Sequence, residues 1–167
     1  PRTPDGAPQR TVLYVEDNPA NLELVAELMQ RRPELRLMSA ADGNLGIEYA
    51  RVCLPEVILM DIHLPGVSGI EAMKTLRADP STAHIPIIAI SAHALPRDIA
   101  QALEAGFFSY LTKPIKVNEF MATLDVALEF SQTKSTRAAA KSKVLSPQWV
   151  ESGLSEPKKP GSDQNGT

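Results

Sequence analysis

Asp61 closes the apolar run Val57-Ile58-Leu59-Met60, and a Pro65-Gly66 turn follows closely. Glu16 and Asp17 close an earlier run, Thr11-Val12-Leu13-Tyr14-Val15. Ser91 ends a run at residues 86–91, and Lys113-Pro114 ends Phe107-Phe108-Ser109-Tyr110-Leu111-Thr112. Clustered carboxylates repel and raise one another's pKa unless a cation neutralises them. Mg2+ suits such a set: it takes oxygen ligands, keeps several waters, and binds through one or two carboxylates plus phosphate oxygens. A lysine pairs with phosphate as a point charge, and a serine hydroxyl donates to a phosphate oxygen. These residues point to a site that takes a phosphoryl group on Asp61 as an acyl phosphate, with the protein supplying position and charge neutralisation. Taken singly, each has a plainer reading. An Asp at a strand end is most often a turn or cap residue, Glu16-Asp17-Asn18-Pro19 reads as a helix cap, and Lys-Pro is a common dipeptide. The joint occurrence, in this order and each at the end of a run, favours chemistry.

The residues meet only if the runs are parallel strands of one sheet. The runs are 11–15, 35–40, 56–60, 86–91 and 108–112, and the first, third and fourth are almost continuously apolar, as strands buried on both faces are. Helical spacing fills the intervals. Leu22, Val25, Ala26 and Met29 form one stripe, with Asn18 as cap, Pro19 at the first position and Pro33 as the stop. Asp42 caps a second helix carrying Leu45, Ile47, Ala50 and Val52. A third starts near Ser68, carries Ile70, Met73, Leu76 and Arg77, and stops at Asp79-Pro80. A fourth, weakly apolar, spans Pro96 to Ala105 and stops at Gly106. The fifth carries Val117, Phe120, Met121, Leu124 and Leu128. Five βα alternations predict an α/β domain, a doubly wound five-stranded parallel sheet of order 2-1-3-4-5 with five helices.

The chain has 167 residues, net charge −3 and a single cysteine. One domain and a tail fit this length. A domain at 10–130 is expected, behind a Pro- and Gly-rich leader at 1–9. Residues 131–167 are expected to be mostly disordered, with a short helix at 146–152 that holds the single Trp, Trp149. Residues 1–130 carry 11 Lys and Arg against 17 Asp and Glu, whereas residues 131–167 carry 6 against 3. An acidic domain is a poor nucleic-acid binder. No apolar stretch reaches the ~20 residues of a membrane span and no signal peptide is visible, so no membrane contact by this segment and a cytoplasmic location are expected, with a membrane-anchored parent left open. Cys53 excludes an internal disulfide and reads as a small core hydrophobe near a helix end.

The blocks Val12-Leu13-Tyr14-Val15-Glu16-Asp17-Asn18, Leu59-Met60-Asp61-Ile62-His63-Leu64-Pro65-Gly66, Ile90-Ser91-Ala92 and Tyr110-Leu111-Thr112-Lys113-Pro114 resemble the receiver domain of two-component response regulators, across roughly residues 10–130. The resemblance implies a flavodoxin-like fold and a set of roles. Asp61 is then the phosphoacceptor. Asp17 is the direct Mg2+ ligand, Glu16 acts mainly through water, and the backbone carbonyl of His63 is a further ligand. Ser91 and Lys113 contact the phosphoryl group, Ser91 and Tyr110 form the switch, and Pro114 follows a cis peptide bond. The implied partner is a histidine kinase or a histidine phosphotransfer domain. The implied output is a reshaped face of fourth helix, fifth strand and fifth helix, through which two copies can also pair.

His63 and His93 stand two residues past Asp61 and Ser91, where they would flank the phosphoryl group and set its lifetime. A transition-metal site built from Asp61, His63 and His93 is a weaker reading. The run Glu16-Asp17-Asn18-Pro19-Ala20-Asn21 resembles receivers attached to sensor kinases, so a receiver module of a hybrid histidine kinase is the expectation. A stand-alone single-domain regulator is the alternative. Whether the parent chain is an enzyme stays open. A phosphatase forming an aspartyl phosphate is disfavoured, because that class places a second Asp where His63 stands.

Overall fold

A computed structural model describes the backbone of residues 6–145 and the side chains of residues 6–134. The element order is β1 Arg10–Val15, α1 Pro19–Met29, β2 Leu35–Ala40, α2 Gly43–Cys53, β3 Val57–Asp61, α3 Gly69–Ala78, β4 Ile87–Ser91, α4 Pro96–Ala105, β5 Ser109–Thr112 and α5 Val117–Leu145. The strands form one parallel sheet of order β2-β1-β3-β4-β5, in agreement with the sequence pattern. Every residue of β3 and β4 is buried, which is why these runs read as unbroken apolar segments.

The two-residue period of each strand divides the core into two layers. Leu13, Val15, Ile58, Met60, Ile87 and Ala89 pack with residues of α2, α3 and α4. Val12, Tyr14, Leu59, Ile88, Ile90 and Leu111 pack with α1 and α5 on the other face. β1 lies between β2 and β3, so the chain leaves the sheet towards opposite faces after β1 and after β3. That reversal opens a crevice beyond their carboxyl ends, where doubly wound sheets place their ligands.

Local signals set the helix starts. Asn18, Asp42 and Ser68 cap α1, α2 and α3 through their side chains, and Ser68 and Glu71 close a reciprocal capping box. The stops hold less well. α1 ends at Met29, before Pro33, and Leu54 terminates α2 in the left-handed region at φ 44°, a position usually given to Gly. Val52, placed on the apolar stripe from sequence, is 78% exposed. It lies five residues beyond Ile47, well over a third of a turn away round the helix. Cys53 is exposed too, as the last helical residue, and is not a core hydrophobe.

α5 continues past Phe130, the expected end of the domain, to Leu145. Residues 131–145 contain Ala138-Ala139-Ala140, Gln, Lys and Arg among their Ser and Thr and no Gly or Pro, so nothing in them breaks a helix. Packing of Phe108 on Phe130, centroids 5.0 Å apart, and a Ser131 hydroxyl bond to Glu56 hold the start of this extension. The chain divides into compact units at Thr133, so the sheet and its helices form the first unit and the last turns of α5 belong to the second. The expected short helix at 146–152 lies outside the described residues, as do residues 1–5. Gln9, at the end of the expected leader, donates its side-chain amide to the Pro33 carbonyl.

Arg77, grouped with the apolar stripe of α3, has a distinct role. Its half-buried guanidinium donates to the carbonyls of Ala83 and Ile85 before β4 and to the Gly106 carbonyl before β5. It thereby ties together the entries of the two strands that end in Ser91 and Thr112. Replacing it with Met keeps the stem but leaves three carbonyls without their charged donor. Arg77→Met is expected to lower the unfolding free energy by about 2–3 kcal/mol in denaturant titration; a loss below about 0.5 kcal/mol would contradict this role.

Candidate functional site

Parallel pairing brings the predicted residues to one edge. Val15 pairs with Met60, Asp61 with Ile90, and Ser91 with Thr112, so Glu16, Asp61, Ser91 and Lys113 emerge side by side. Asp61 is 4% exposed and Glu16 1%. Lys113 Nζ reaches both, at 3.0 Å from Asp61 Oδ2 and 3.2 Å from Glu16 Oε2. Asp61 Oδ1 accepts the His63 backbone N–H at 2.9 Å. Asp17 is exposed, just past β1. Glu16, Asp17 and Asp61 each offer a carboxylate oxygen within 4.8 Å of the others, a group able to hold a metal ion among the described residues.

Glu16 is held from four directions. Oε1 accepts from the Asn18 backbone N–H at 3.2 Å and the Asn21 side-chain amide at 3.1 Å. Oε2 accepts from the Tyr14 hydroxyl at 3.1 Å and from Lys113. Burial works to raise its pKa, but the bonds from Asn21 and Lys113 outweigh it and hold the carboxyl below its ordinary value. At Asp61 the balance falls the other way. Burial, with the Glu16 charge beside it, keeps its pKa above the usual carboxylate value despite Lys113 and the His63 N–H. Burial works against the charged form of Lys113, and the two carboxylates overcome it and raise its pKa. The cluster therefore sets three carboxylates against one ammonium. An all-oxygen donor set with this charge excess fits a hard divalent cation.

Beside the acids stands a second group. Ser91, 1% exposed, accepts the His93 backbone N–H on Oγ at 3.1 Å. The Tyr110 hydroxyl donates to the His93 carbonyl at 2.6 Å. The two expected switch residues thus meet on the backbone of one residue. The rings of His63 and His93, both exposed, pack with centroids 4.4 Å apart and planes tilted by 38°. A cavity of about 170 Å3 opens here, lined by Ile62, His63, Ser91, His93 and Tyr110 among others. The Lys113-Pro114 bond is cis, as expected. Asp61, His63 and His93 do not form a metal-holding group among the described residues.

Sequence reasoning passed over three residues of the site. Tyr14 was read only as part of an apolar run, yet a buried tyrosine hydroxyl needs a partner, and Glu16 lies two residues on along the chain. Asn21 lies in the first turn of α1, five residues after Glu16. Gly69 leaves no room for a side chain: a Cβ would meet the Asp61 carbonyl oxygen at 2.1 Å. Its N–H donates to the Ile62 carbonyl, so α3 starts directly against the end of β3. That close approach had no local signal.

Comparison with known proteins gives the family and the fold. The family model for the response regulator receiver domain matches residues 12–125. The polar-differentiation response regulator DivK of Brucella anthropi is 36% identical over 115 residues, covering 69% of this chain and 93% of the relative. The crystal structure of the receiver domain of sensor histidine kinase PA1611 from Pseudomonas aeruginosa, with a magnesium ion coordinated in its active site cleft, is 33% identical. It aligns with a TM-score of 0.67 and covers 72% of this chain and 98% of that one. The Vibrio cholerae chemotaxis protein CheY4, 24% identical with a TM-score of 0.66 over 72% of this chain and 99% of that chain, shares the fold. The chain belongs to the response regulator receiver domain family, the receivers of two-component signalling. Among the described residues no helix is long and apolar enough to cross a membrane.

Proposed function

We propose that the domain takes a phosphoryl group from a phosphohistidine donor onto Asp61 and reports it by reshaping the α4-β5-α5 face. The observation that carries this reading is the Lys113 ammonium set between two buried carboxylates, with Asp17 in reach of both. The donor is a histidine kinase or a histidine phosphotransfer domain. The phosphorus–nitrogen bond of the donor breaks, with its electron pair left on the imidazole, as a bond from an Asp61 carboxylate oxygen to phosphorus forms. Asp17, Asp61 and the His63 carbonyl would hold Mg2+ directly, with Glu16 acting through water. The ion supplies neutralisation of the carboxylates and of the phosphoryl oxygens. Lys113 contributes the remaining positive charge, and Ser91 a hydroxyl donor.

The same contacts make the switch. Phosphorylation adds ~1.5–2 negative charges beside Lys113 and Ser91. If the Ser91 hydroxyl turns to donate to the phosphoryl group, its bond from the His93 N–H is disturbed. The Tyr110 hydroxyl, on the carbonyl of the same residue, is disturbed with it. α4 is suited to follow: Ala102 is its one buried residue, and its first turn has no side-chain cap. Leu95, Leu103 and Val117 are exposed on or beside this face, which fits a docking surface and pairing of two copies.

The parent context proposed is the receiver module of a hybrid histidine kinase, in line with the likeness to a sensor-kinase receiver. A stand-alone regulator is favoured instead by the DivK relative, of which the matched segment spans 93%.

Asp61→Asn is expected to abolish Mg2+-dependent labelling by acetyl phosphate while circular dichroism and thermal unfolding still show a folded domain. Labelling that persists in this variant refutes the site. The packed rings of His63 and His93 are proposed to slow water attack on the acyl phosphate. Its half-life is expected to shorten about threefold or more in His63→Ala and in His93→Ala, and an unchanged half-life in both would sink the idea.

A further inference from the structure

β1 is aliphatic at each of its fully buried positions except Tyr14. The ring packs in the α1/α5 layer, a volume that phenylalanine would also fill. The hydroxyl is the informative atom: it donates to Glu16 Oε2 at 3.1 Å, the oxygen that also takes Lys113 at 3.2 Å. Oε1 has its own donors in Asn18 and Asn21. Lys113 therefore shares itself between Glu16 and Asp61, and Glu16 Oε2 shares itself between Lys113 and Tyr14. On the reading above, with Asp61 as the phosphoacceptor, Lys113 turns to the phosphoryl group. Without Tyr14, a buried carboxylate oxygen would then be left with no protein donor, which is unfavourable.

We propose that Tyr14 is a positioning residue, a reserve donor that keeps Glu16 seated when Lys113 turns from it to the phosphoryl group. The phenol hydroxyl carries its proton at neutral pH and so serves Glu16 as a donor. In Tyr14→Phe, Lys113 is the sole remaining protein donor to Oε2, and moving it leaves that oxygen with no donor but solvent. The penalty falls on the phosphorylated state and not on the resting one.

Two measurements test this. The first titrates Mg2+ alone, and then beryllofluoride in saturating Mg2+, into wild type and Tyr14→Phe by calorimetry. Beryllofluoride affinity is expected to fall about fivefold or more, with Mg2+ affinity changed less than about twofold. Unchanged beryllofluoride affinity, or an equal loss in both titrations, overturns the proposal, the latter marking a general loosening of the site. The second compares metal-free unfolding of Tyr14→Phe, Lys113→Met and the double variant. The folding constant of the double variant is expected to fall at least about threefold beyond the product of the single effects, because only there is Oε2 without a protein donor. Additive effects overturn the proposal. Wild type that fails to bind beryllofluoride removes the phosphoacceptor reading itself. Wild type that binds it as tightly as Tyr14→Phe does, with an additive cycle, removes only the role of Tyr14.

Discussion

One ammonium group between two buried carboxylates is the constraint on which the site depends. Glu16 and Asp61 are almost fully shielded from water, and charges in such a place are tolerated only when paired and hydrogen-bonded. Lys113 does this for both at once. It can do so because β5 delivers it beside Asp61 although they are 52 residues apart in sequence, and beside Glu16 although they are 97 apart. The cluster remains net negative with Asp17 included, which leaves it ready for a cation and for a group that brings its own cation.

The sheet is the device that makes this meeting reproducible. Five strands point the same way, so the residue that ends each one arrives at one edge. Two layers of helices bury both faces of the central strands, which fixes register, since a slip by one residue would turn every side chain to the opposite layer. The layers also separate two tasks. Tyr14, on the α1/α5 side, supports the acids from beneath. Ser91 and Tyr110 meet at His93, next to α4, where the helix is lightly anchored.

Much of this was legible in the residue pattern. The strands were found to within a residue because burial on both faces makes them uninterrupted apolar runs. The starts of α1, α2 and α3 were legible because Asn18, Asp42 and Ser68 cap by short-range bonds. The residues of the site stood out because charged or hydroxyl groups ending apolar runs are conspicuous. What escaped depends on tertiary surroundings. Cys53 and Val52 are hydrophobic by type but lie exposed in the last turn of α2. α5 persists to Leu145 through residues that break no helix but that composition alone marked as polar tail. Tyr14 hid within its own apolar run, and the need for glycine at position 69 comes from the backbone of Asp61.

If Asp61 is the phosphoacceptor, it alone among the acids of the cluster becomes an acyl phosphate. Borohydride reduction of the domain after incubation with acetyl phosphate and Mg2+ tests it directly, because an aspartyl phosphate is reduced to homoserine and peptide mass mapping then locates the change. Homoserine at position 61 alone is expected. Reduction at Glu16 or Asp17, or no reduction at Asp61, would contradict it.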